Sequence, residues 1–396
     1  LPFLQHQAPH SWGFLFVGGW VDLRMIKYIP LLLLIGLTWT QKEDWDIDII
    51  ETSLLAYKVE LFSDGYIIPW GMSFLPDGDL IVSDICGKIY RVNYNGNKKM
   101  LISNFPEVFY QGQGGLLDVE VHPKFEENNL VYFSFSDLNS ESSFTSIARA
   151  ELKADSLVNL KIIYKAEKEH YTKSPYHFGS RILFNNEFLY FTIGDRGVMD
   201  DAQDLFKPNG KIHRLFDNGD IPLDNPFVNI NDSKSSIWCY GNRNPQGLAM
   251  DIDGNIWELE HGPKGGDELN IIRKGYNYGW PIITYGINYN GKKISDKTHM
   301  DGMEQPVWHW TPSIAVCGMK FYYGKPFNPW NGNILVTSLK FEYLERVIIA
   351  NGERTGSEII YEPGSRVRDV EVGLNGNIFV ALEDPGRIVR LTKINK

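Results

Sequence analysis

Cysteine is almost missing from this sequence. Its 396 residues include three, Cys86, Cys239 and Cys317, with none of the spacing of a zinc site and an odd count that cannot all pair. They read as small core residues, or as one disulfide at most. Positive charge is also short: 39 Lys and Arg against 49 Asp and Glu leave a formal charge of -10. Phosphate binding needs a basic surface, so nucleic acid is not the expected partner. There is no P-loop and no Rossmann glycine fingerprint, which sets nucleotides aside. Neither GxSxG nor HExxH occurs, so serine-hydrolase and zinc-protease chemistry lack their partners. Helical periodicity is weak throughout.

Long apolar runs are scarce too. "MIKYIPLLLLIGLTWTQKEDW" starts at Met25 and carries an apolar stretch of roughly a dozen residues, shorter than the ~20 a membrane helix needs. Lys27 before it and polar residues after it give the anatomy of a signal peptide. No cysteine follows, which argues against a lipoprotein. The expected organisation is an over-extended N-terminus over 1–24, a signal peptide over 25–40 and one folded domain over 41–396. The mature protein is then exported, to a periplasmic or extracellular setting, without a membrane span.

What the chain does have is aromatics, at 13%, and 37 glycines, a composition of strands and tight turns. One local pattern recurs six times: a turn, a short β run, a polar strand end and a second β run. The copies include "DGDLIVSDICGKIYRV", "NNLVYFSFSD", "NEFLYFTIGDRG", "DGNIWELEHGP", "NGNILVTSLK" and "NGNIFVALEDPGRIVRL". Asn-Gly and Asp-Gly turns between apolar runs are hairpin signals, and a fixed repeat points to one architecture. The pattern predicts an all-β fold, a six-bladed β-propeller of four-stranded antiparallel blades. Equivalent strand ends then share one rim: Asp84, Asp137, Asp195, Glu260 with His261, Lys340 and Asp384.

Several residues suit chemistry at such a rim. Arg243, Lys340, Arg366 and Arg368 are cations at strand ends, the last two in "GSRVRDV" with alternation placing them on one strand face. In an acidic protein a local cluster of cations is costly unless an anion sits among them. Arginine forks suit carboxylates or phosphates. His177 in "YHFGSRILF" is a candidate base, since neutral imidazole can take a hydroxyl proton. Gln113 lies in the glycine-rich turn "YQGQGG", where a ligand can approach the backbone closely.

Together these segments resemble a known family. "GQGGLLDVEVHPKF", "HFGSRILF", "FTIGDRG", "YGNRNPQGLAMD", "EHGPKGGDELNII", "GYNYGWP" and "RVRDV" are similar, in order, to the soluble quinoprotein glucose/sorbosone dehydrogenases, especially the bacterial aldose sugar dehydrogenase branch. The resemblance runs from about Trp70 to the C-terminus and implies a six-bladed propeller. It also implies that pyrroloquinoline quinone (PQQ) binds on the axial face. His177 would take the C1 hydroxyl proton of an aldose while the C1 hydride passes to C5 of the quinone, giving an aldonolactone. Gln113 would stand beside the reacting centre. Arg243, Asn244, Lys340, Arg366 and Arg368 would hold the cofactor, with Tyr289 in contact. The carbonyls of Gly262 and Pro263 would ligate Ca²⁺, and Glu268 with the region of Tyr278 would form a second, structural calcium site. The implied partners are a sugar and an electron acceptor, for a monomer or a homodimer.

The sequence also departs from the pattern. Tyr176 stands before His177 where the glucose-specific branch has Asp, and the segment from Tyr285 to Met303 lacks that branch's long insertion. Lys340, in contrast, fits the glucose type. Two rival readings are a calcium-dependent lactonase and a non-catalytic interaction propeller. The first wants several side-chain oxygen ligands for its metal, and the second wants the base or the cationic set to be missing.

Overall fold

The recurring strand pair proves to be the middle of each blade. In the computed structural model, which describes residues 47–394, Leu80–Asp84 pairs with Lys88–Val92. The other five copies supply equivalent strands. An inner strand and an outer strand complete each sheet. The inner strands, in blade order, are Pro69–Phe74, Leu116–Val121, Ile182–Asn185, Pro245–Met250, Val316–Phe321 and Val367–Val372. Six separate antiparallel sheets result, which is the expected six-bladed propeller. The segments 1–24 and 25–40 lie outside the described residues. Among the described residues, no helix is long and apolar enough to cross a membrane.

Blade 6 differs from the other five. Its inner three strands come from the C-terminus, and Ala56–Tyr66 returns from the N-terminal end to pair with Gly386–Lys393, with Val59 opposite Leu391. Asp48–Glu51 adds a fifth, edge strand. The two ends of the chain therefore share one sheet, and the ring closes through backbone hydrogen bonds. Tyr57, Val59, Val380, Val389 and Leu391 fill the apolar core beneath that seam. The Tyr57 hydroxyl also donates to the Ile360 carbonyl of blade 5.

The inner strands begin irregularly, and for a reason. Five of the six slip register against their neighbour near the start, between Pro69 and Gly71, Leu116 and Val119, Pro245 and Gly247, Val316 and Met319, and Val367 and Asp369. A bulge bends a strand and re-aims its side chains. Here it aims Trp70, Asp118, Gln246, Cys317 and Arg368 towards the axis. Blade 3 pairs without a slip and contributes the partner for all of them, Arg181. Its guanidinium meets Asp118 at 3.1 Å and Asp369 at 3.0 Å, donates to the Gln246 carbonyl at 2.7 Å, and lies 4.4 Å from the Trp70 ring centre.

Burial pushes both carboxyls up, Asp369 to about 7, and the charge of Arg181 works against that rise. Arg181 also lines a cavity of about 250 Å³, with Glu120, Met250, Lys320 and Glu371 among others. All three cysteines are free thiols.

Candidate functional site

Antiparallel pairing puts the start of every inner strand beside the end of the next strand out. His177, Arg243 and Arg366 each precede an inner strand, while Asp195, Glu260, Lys340 and Glu383 lie at the ends of second strands. All of them therefore share one face. Of the predicted rim, Asp195, Glu260, His261 and Lys340 belong to this site. Two members do not. Asp84 accepts the backbone N–H groups of Ile67 and Ile68 at 2.9 and 3.0 Å, a cap on the chain entering blade 1. Asp137 is held by the Tyr171 hydroxyl and Lys165.

His177 is held in place on every side. Its backbone is left-handed at φ 56°, a conformation that costs a non-glycine residue of order 1–3 kcal/mol. The His177 amide donates to Gln113 Oε1 at 2.8 Å. Gln113 gets close enough because Gly112 lacks a Cβ, which would sit 2.5 Å from Pro175. The His177 Nδ1 lies 2.6 Å from Asp195 Oδ1. Asp195 is fully buried and also accepts from the Gly197 amide at 2.8 Å and from Trp280 Nε1 at 2.9 Å.

Burial raises the Asp195 carboxyl, but the hydrogen bond from His177, its charge and that of Arg243 outweigh this and leave it below the ordinary range. Asp195 is thus ionised and requires the proton of His177 on Nδ1, which leaves Nε2 as the acceptor. The imidazole itself is pushed below its usual value, first by burial and then by Arg243, against the pull of Asp195.

Around this pair stand the cations. Arg243 is buried; its amide donates to Glu260 Oε2 at 2.6 Å, and its Nη1 donates to the carbonyls of His261 and Gly262 at 2.8 and 2.9 Å. Asn244 accepts from the Gly179 amide at 3.1 Å. Lys340 is exposed, 3.2 Å from the Ser313 carbonyl. Arg366 and Arg368 do share a strand face, and they share one carboxylate as well. Each donates its Nε to Glu383 at 2.7 Å.

The pair is not equivalent. Arg368 turns inward to Gln246 and Cys317, while the Arg366 side chain is half exposed. Glu383, one residue before the predicted Asp384, is therefore part of the anion that the clustered cations required.

The remaining residues lie around blade 4. A Cβ on Gly262 would come within 2.2 Å of the Gly265 carbonyl, so glycine alone fits this tip. Tyr289 is 74% exposed; its loop reaches the tip through Ile287, whose carbonyl accepts from Lys264. The structure does not bring Tyr289 into contact with His177. Glu260 and Glu268 face each other across paired strands. Both line a small cavity, with room for one water-sized particle, that also touches Gly262, Tyr278 and Trp280. Burial drives Glu260 well above the ordinary carboxyl range and Glu268 up to about 8. The Tyr278 hydroxyl is already engaged, donating to the Ile271 carbonyl and accepting from the Arg273 amide.

A sequence profile described as Glucose / Sorbosone dehydrogenase matches residues 66–390. The chain belongs to the glucose/sorbosone dehydrogenase family. Within that family it is 36% identical over 350 residues to aldose sugar dehydrogenase YliI of Escherichia coli K12, covering 85% of this chain and 93% of that one. Quinoprotein glucose dehydrogenase B of Acinetobacter calcoaceticus is 28% identical, over 80% of this chain and 72% of its own length. Among solved structures, the apo form of the E. coli aldose sugar dehydrogenase superposes with a TM-score of 0.82 at 33% identity, covering 85% of this chain and all of that one. The PQQ-bound aldose sugar dehydrogenase of Streptomyces coelicolor gives 0.70 at 26% identity, covering 84% and 97%.

Proposed function

We propose that this chain oxidises aldoses at C1 to aldonolactones, using PQQ with Ca²⁺ beside it. The observation that carries the reading is the His177–Asp195 pair set among Arg243, Lys340 and Arg366. The donor set suits the cofactor: an anion rich in carboxylates matches a mouth where Glu383 offsets only part of the cationic charge. When bound, the quinone supplies the acceptor for the C1 hydride. This chain's residues do the rest.

His177 Nε2 takes the C1 hydroxyl proton, and Asp195 stabilises the imidazolium that forms. Gln113 fixes the main chain of the base. Arg243, Asn244, Lys340, Arg366 and Arg368 bind and orient the carboxylates and quinone oxygens.

The proposed calcium sites also fit. The Gly262 carbonyl accepts from Arg243 but has a second lone pair, so with Pro263 it still offers a hard oxygen to Ca²⁺. For the second ion, Glu268 lines a cavity with Glu260, where Arg243 offsets only part of the carboxylate charge, and Tyr278 contributes its main-chain oxygen. The signal anatomy over 25–40 is the ground for placing the mature enzyme in a periplasmic or extracellular space.

The test is dye reduction by purified apo-protein with a panel of aldoses, with and without PQQ and Ca²⁺. Activity that needs both additions supports the reading. Absence of PQQ binding, followed by quenching of tryptophan fluorescence, removes it.

A further inference from the structure

Asp195 has two carboxylate oxygens, and the structure uses both. One holds His177 and the Gly197 amide. The other accepts the indole N–H of Trp280, at 2.9 Å. Trp280 arrives from a different blade, in the segment that follows the third strand of blade 4, and is 4% exposed. Its own main chain is tied at both ends: the amide donates to the Gly241 carbonyl at 2.8 Å and the carbonyl accepts from Gln203 Nε2 at 2.7 Å. The face of the same indole carries the Arg243 guanidinium, 5.4 Å from the ring centre.

We infer that Trp280 is a positioning residue for the base, setting the proton affinity and orientation of His177 through Asp195. This rests on the reading of His177 as the base. The physical argument is a sharing of charge. A carboxylate that accepts an indole N–H on one oxygen spreads its charge over that donor and attracts a neighbouring imidazolium less. Without the donor, the charge concentrates on the oxygen facing His177, the imidazolium is favoured, and neutral base persists only at higher pH. The other charged or titratable groups acting on His177 are Arg243, Arg196 and His261. Arg243 and Arg196 push against the imidazolium, and Trp280→Phe leaves both in place. Phenylalanine also keeps an aromatic face beneath Arg243 and fills most of the volume, so the substitution isolates the N–H.

The experiment is an NMR titration of the His177 ring in apo-protein, its signal assigned by loss in His177→Asn. The expected result for Trp280→Phe is a His177 midpoint displaced to higher pH. With PQQ and Ca²⁺ bound, kcat/KM at pH 6 should then fall several-fold while the two proteins agree at pH 9. Identical midpoints in wild type and Trp280→Phe would overturn the inference, whatever the activity of the loaded enzyme. Failure of His177→Ala to lower turnover would instead overturn the reading of the base, so the two outcomes are separable.

Should Trp280→Phe not fold, Asp195→Asn supplies a second readout. The Trp280 indole proton of wild type should resonate downfield and exchange slowly, and should move upfield when its acceptor loses its charge. An indole resonance indifferent to Asp195→Asn would equally overturn the inference.

Discussion

Two arginine-rich regions lie on one axis and are built on opposite terms. Among the inner strands Arg181 is buried and bonded to Asp118 and Asp369, with a contact to an aromatic face and to main-chain carbonyls besides. At the mouth, Arg243 leans on carbonyl oxygens, Lys340 on one carbonyl, and Arg366 shares Glu383 with Arg368. Full compensation marks a cation that holds the fold. Partial compensation suits cations that hold an anionic ligand, the role proposed for those at the mouth.

The comparison predicts different failures at the two places. Arg181→Met leaves two buried carboxylates without their partner, which costs about 3–5 kcal/mol. Thermal melting should drop by roughly 5–10 °C for a chain of this size; an unchanged melting temperature would remove Arg181 from its role as hub. Next in size is His177→Ala, expected to lower turnover at least about a hundredfold with quinone affinity nearly intact. Unchanged turnover would exclude it as the base.

Arg366 and Arg368 test the boundary between the two regions. Arg366→Ala should weaken quinone binding about tenfold at constant melting temperature, because only a half-exposed contact is lost. Arg368→Ala should weaken binding and also lower the melting temperature, since Arg368 belongs to both regions. Equal effects on the two measurements would mean that the pair is a single unit.

The smallest effect is on pH. If His177 is the proposed base, activity needs it neutral; burial reduces its proton affinity, so kcat/KM should rise with pH through an acid limb centred below 6.5. A limb centred above that value would mean that the pull of Asp195 outweighs burial and Arg243.

Much of this was legible in the residues, and the illegible parts have physical causes. The middle strands of each blade alternate or run apolar between Asn-Gly or Asp-Gly turns, so hairpins such as Leu80–Val92 stand out. Inner strands such as "PQGLAM" and "VCGMKF" start with a bulge, which breaks the period of two on which recognition depends. Closure by Ala56–Tyr66 pairs residues more than 300 positions apart, and no local pattern announces that.

At the site, the cations and His177 were visible as residue types. Asp195 was visible only as a polar strand end, because its partnership with His177 arises from the fold and not from spacing. Glu383 was missed beside Asp384, whose left-handed φ of 42° places it in the turn while its neighbour faces the arginines. Trp280 stood out only as part of "GYNYGWP" and with no role, since a buried indole reads as core until its N–H is traced to Asp195.

Arg181 has a consequence for how the ring can come apart. From blade 3 its guanidinium grips Asp118 of blade 2 and Asp369 of blade 6, and its Nε holds the Gln246 carbonyl of blade 4. Blade 3 cannot swing out without parting from three others at once, so opening should be cooperative and not blade by blade. Hydrogen exchange should then protect the inner strands of these four blades alike.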